Sequence, residues 1–66
     1  MIAEIWVCEY SPTQGCFHID TLDKTLAVNR QGVASGHAAD YILLYVAQSS
    51  EEALAFAKRW EAEHGR

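Results

Sequence analysis

Sixty-six residues, half of them hydrophobic and about a fifth charged, suit one small domain and are too rich in apolar side chains for a disordered tail. Nine acidic residues against five basic ones leave a net charge of −4. The basic residues Lys24, Arg30, Lys58, Arg59 and Arg66 are scattered, so no stripe can follow a phosphate backbone and nucleic acid is not expected as a ligand.

The segment 2–10 is rich in β-formers, and 16–20 is a second short run of the same kind. Ser11, Pro12, Thr13, Gln14 and Gly15 between them read as a five-residue hairpin loop, with Pro12 setting one bend and Gly15 free to take positive φ. That loop length places Tyr10 opposite Cys16, Cys8 opposite His18 and Val7 opposite Ile19. Period-two alternation then puts Ile5, Val7, Phe17 and Ile19 on a core face. Trp6, Cys8, Tyr10, Cys16, His18 and Asp20 fall on the other face.

After Thr21 the period lengthens. Leu22, Leu26, Asn29 and Val33 recur as a helical stripe, which predicts a helix over 22–31 with Thr21 or Asp23 as cap and Gly32 at its end. A third strand through 25–28 is the alternative. The small residues of 32–39 are expected to form a flexible connector, because they lack the Lys-Ser/Thr ending of a phosphate loop. His37 in that connector is expected to be solvated.

The segment 41–47 is the strongest strand and is apolar at both parities, so it calls for cover on both faces. The final helix supplies one cover, and another helix or a partner chain must supply the second. That helix, 49–63, is signalled by the Ser49 and Glu52 capping box, an acidic first turn and Gly65 beyond its end. Ala53, Phe56, Ala57, Trp60 and His64 line one stripe, flanked by Leu54, with His64 expected to be solvated and favoured at the helix C-terminus by the dipole. Its opposite side, Glu51, Ala55, Arg59, Ala62 and Glu63, should face water. The expected fold is a small α+β domain of order ββαβα spanning 1–66, a three-stranded mainly antiparallel sheet covered on one face by the C-terminal amphipathic helix.

Two constellations carry functional expectations. Trp6, Tyr10, Tyr41 and Tyr45 are an aromatic surplus on a thin sheet, and Tyr and Trp are favoured in binding hot spots. They predict a non-enzymatic interaction or regulatory module whose sheet face around these four residues meets another chain, either a second copy in a homodimer or another protein. A chain this short also has difficulty covering both sheet faces alone. Small acidic accessory inhibitors of the kind encoded by phages and plasmids are the nearest analogy. Cys8, Cys16 and His18 form the competing constellation, a thiol or zinc site with Asp20 or His37 as a fourth ligand. The spacing lacks the paired CxxC pattern that makes zinc sites convincing, so no cofactor is expected. No stretch approaches the roughly 20 apolar residues of a bilayer span. The start Met1-Ile2-Ala3-Glu4 lacks a basic leader, which predicts a cytoplasmic protein with both cysteines reduced.

Overall fold

A computed structural model describes residues 4–37 and 40–64. The element order is β1 (Trp6–Ser11), β2 (Cys16–Thr21), α1 (Leu22–Ser35), β3 (Ile42–Ala47) and α2 (Ser50–His64). The protein is thus an α+β fold of ββαβα order. Its sheet is antiparallel throughout, with β1 central in the order β2-β1-β3. The Gly65 cap and the end of the 32–39 connector lie outside the described residues.

The hairpin register differs by one residue from the sequence expectation. Ser11 pairs with Cys16, so Cys8 faces Ile19, Glu9 faces His18 and Tyr10 faces Phe17. The cause lies in the turn. The Gly15 amide donates to the Ser11 carbonyl at 2.7 Å with Gly15 at φ 67°, which closes the loop over Pro12 to Gly15 and draws Ser11 into the strand. The Ser11 hydroxyl fixes the same turn by accepting from the Gln14 amide at 3.2 Å and donating to Asp40. A one-residue slip moves every side chain of one strand to the other face. Trp6, Cys8 and Tyr10 therefore share their face with Phe17 and Ile19, and Val7, Glu9 and Ser11 share theirs with Cys16, His18 and Asp20.

The first of these faces packs on α2. Cys8, Ala47, Ala53 and Ala57 are its buried centre, ringed by Trp6, Phe17, Ile19, Tyr45 and Phe56. Aromatic rings run along it in contact. Tyr45 stacks on Phe56 with centroids 4.4 Å apart, Phe56 meets Trp60 at 5.8 Å, and Trp60 meets His64 at 4.0 Å. Small alanines at 53 and 57 let α2 approach the strands closely, and the rings fill the margins. The expected solvent side of α2, from Glu51 to Glu63, is exposed.

Both ends of α2 are tied. The Ser49 hydroxyl accepts from the Glu52 amide at 3.1 Å, and the Glu52 carboxylate reaches back to the Gln48 amide at 3.0 Å. This is a capping box displaced by one residue on its return arm. At the other end His64 Nδ1 donates to the Trp60 carbonyl at 3.2 Å, satisfying a last-turn acceptor.

Helix α1 is longer than its sequence pattern implies. Thr21 caps it, accepting from the Lys24 amide at 3.4 Å. Gly32 does not end it. Gly36 does, at φ 76°, with its amide on the Val33 carbonyl and the His37 amide on the Gly32 carbonyl, the paired bonds of a Schellman motif. The Gly36 backbone conformation is available without strain only to a residue lacking Cβ, which is why the helix overruns Gly32 and stops here. Its predicted stripe is not buried: Leu26 is 39% and Val33 71% exposed. Thr25 turns inward instead, at 3% exposure. The helix approaches β1 and β2 but not α2, and it meets the sheet on the Glu9 and His18 side, opposite α2.

Candidate functional site

The side of the sheet away from α2 combines a cleft and an open apolar edge. The cleft lies between α1 and the strands, has a volume of about 410 Å³, and is lined by Glu9 and His18 from the sheet, Thr25, Val28 and Val33 from α1, and Tyr41 ahead of β3, among others. Glu9 is its buried acid, 4% exposed, and its Oε1 lies 3.4 Å from Nδ1 of His18. His18 in turn sits against the Tyr41 ring, centroids 5.6 Å apart. The Tyr41 hydroxyl lies 3.4 Å from Cys16 Sγ, and this contact, helped by partial desolvation, holds the phenol above its ordinary value.

The apolar edge is β3. Pairing with β1 gives Ala47 opposite Trp6, Tyr45 opposite Cys8 and Ile42 opposite Tyr10, which places these three on the α2 side. Val46 opposite Val7 and Leu43 opposite Glu9 lie on the other side, with a bulge between them at Leu44. Ile42 is 53%, Leu43 50% and Val46 55% exposed. Exposed aliphatic side chains therefore occur on both faces of one strand. Among the described residues its outer edge has no partner strand. Sheets ordinarily protect such edges with lysine, proline or an inward charge, and Ile42–Ala47 contains none of these.

The four aromatics singled out from the sequence do not form one surface. Trp6, Tyr10 and Tyr45 lie half-buried on the α2 side, Tyr10 against Phe17 at 4.9 Å and Tyr45 against Phe56, while Tyr41 stands at the cleft on the other side. The Tyr45 hydroxyl donates to Glu52 at 3.0 Å. That bond raises the phenol's pKa, while the Gln48 amide and then Tyr45 hold the Glu52 carboxyl below its usual range.

Cys8, Cys16 and His18 are likewise separated. Cys8 is fully buried under α2, whereas Cys16 and His18 lie on the opposite face, because the register shift exchanges the partner of Cys8 from His18 to Ile19. Burial, and secondarily the Glu9 charge, push the Cys8 thiol up, away from the thiolate that chemistry or zinc would need. Both cysteines are free, and no group of three metal-ligating side chains occurs among the described residues.

Glu9 and Thr25 are the site residues the sequence reading missed. Glu9 shares its strand parity with Val7, but a glutamate gives no local signal of burial, and it is α1 over that side of the sheet that shuts it in. Compared with known proteins, the chain matches no family model, no curated protein and no solved structure. No helix among the described residues is long and apolar enough to cross a membrane.

Proposed function

We propose that the protein is an interaction module that works by contact rather than catalysis, and that it self-associates by pairing β3 with β3 of a second copy. The observation that supports this is the uncovered aliphatic character of Ile42, Leu43 and Val46 on both faces of the edge strand. Covering a single sheet face would leave either Ile42 or the Leu43 and Val46 pair in water. Edge-to-edge pairing shields both at once, since each side chain gains cross-strand neighbours on its own face while the backbone gains a ladder. Antiparallel pairing of a strand with itself is twofold symmetric, so it closes as a dimer instead of growing.

The net charge of −4 opposes association, but Ile42–Ala47 carries none of that charge. Repulsion acts over a longer path and is screened at physiological salt. The module belongs in the cytoplasm on this reading, where Cys8 and Cys16 stay thiols. Sedimentation velocity across a wide concentration series tests the proposal. A reversible monomer–dimer equilibrium is expected, and a monomer at every concentration overturns it.

A further inference from the structure

We propose that the cleft between α1 and the sheet binds a primary ammonium group carried on a short aliphatic chain. Glu9 is a carboxylate only 4% exposed, with no Lys or Arg among the described residues lining the cleft. A buried carboxylate offers about four acceptor positions and is costly to leave unmatched. Its one hydrogen-bond partner among the described residues is His18, at 3.4 Å, well beyond the distance of a strong charge-assisted bond. The second observation is independent of the first. Thr25, 3% exposed and lining the same cleft from α1, has a buried hydroxyl with no hydrogen-bond partner among the described residues.

An acceptor-only acid on the sheet and an unmatched hydroxyl on the facing helix call for a ligand with several donors and a positive charge. An ammonium supplies three donors and that charge. An anion is disfavoured by Glu9, and a metal ion by the lack of a group of three ligating side chains among the described residues. Val28, Val33 and the Tyr41 ring supply apolar walls for the carbon chain, and a volume of about 410 Å³ holds a chain of this kind. The same group can arrive as a free alkylamine or as a lysine side chain of a protein segment. This site is separate from the β3 edge and stands whether or not that edge pairs.

Amide-resolved NMR titrations test it with three probes: n-butylamine hydrochloride, a blocked Ala-Lys-Ala peptide, and n-butanol as the uncharged match. Saturable shifts centred on Thr25, Val28 and Asn29 are expected with the amine or the peptide and not with butanol. The amine binding more tightly identifies a free amine as the ligand, and the peptide binding more tightly identifies a lysine side chain. Glu9→Gln should weaken binding by about tenfold or more, with its folding checked by the dispersion of the same spectrum. Val33→Lys, at a site 71% exposed, keeps the fold and should weaken binding similarly by placing a tethered ammonium at the cleft. Absence of saturable shifts with both cations, equal shifts with butanol, or undiminished binding in a folded Glu9→Gln or Val33→Lys protein overturns the proposal.

Discussion

Val46→Lys addresses the β3 edge most directly. Val46 is 55% exposed and pairs with Val7 on the side away from α2. Full burial of a valine contributes about 1.5 kcal/mol or somewhat more, so covering the remaining half in each of two copies contributes about 2 kcal/mol per dimer. That loss of about 2 kcal/mol corresponds to a weakening of Kd by about thirtyfold. Monomer stability should change by less than about 1 kcal/mol, because the position is open and the change costs little beyond β-propensity. Sedimentation equilibrium on both proteins reads the first number, and urea unfolding at a concentration where both are monomeric reads the second. An unchanged dimer Kd in the lysine variant would show that β3 is not the contact. A monomer destabilised by several kcal/mol would show that Val46 is buried within the chain's own fold.

Other expectations follow from the caps, the thiols and the carboxylates. Gly36→Ala forces a side chain into left-handed backbone at φ 76° and should cost about 1 kcal/mol in chemical denaturation; a neutral result would mean that α1 ends elsewhere. Ser49→Ala removes the acceptor for the Glu52 amide and should also cost about 1 kcal/mol, visible as a lower Tm. With a disulfide-exchange reagent, Cys16 should react in the folded protein and buried Cys8 only after denaturation; two fast thiols would contradict the packing of α2. Asp40, held down chiefly by its bond from Ser11, and Glu52, held down chiefly by the Gln48 amide, have folded pKa values below their ordinary 3.8 and 4.5. Carboxyls lowered in this way stabilise the fold fully above their unfolded values, and that stabilisation is lost as pH falls through the folded ones. Acid titration of stability should therefore decline below about pH 4.5, and Asp40→Asn should show a shallower decline than the parent protein.

What could be read from the chain was whatever its local chemistry specifies. Helix α2 is an example: the Ser49 and Glu52 pair, the acidic first turn and the spacing of Ala53, Phe56, Ala57 and Trp60 all act within a few residues, and the helix forms where they indicate. The existence of three strands, their ββαβα order and the Thr21 cap are legible for the same reason. Face assignment was not. It depends on whether the hairpin loop holds four residues or five, and that is decided by the Ser11 hydroxyl binding Gln14 nearby and Asp40 far along the chain. The slip separates Cys8 from His18 and joins Trp6, Cys8 and Tyr10 to Phe17 and Ile19 on the face that α2 covers.

The extent and placement of α1 were also tertiary matters. A glycine at 32 reads as a stop, yet its cost within a helix is small, about 1 kcal/mol, and the Schellman bonds at Gly36 outweigh it. A stripe of Leu22, Leu26, Asn29 and Val33 identifies a helix but not the surface it meets, because hydrophobic attraction has no direction. Sequence alone thus determined which segments are helix or strand, through capping and periodicity, which are short-range. Only the folded chain decided which side of β1 each helix covers, because register is a long-range agreement between strands and one residue reverses it.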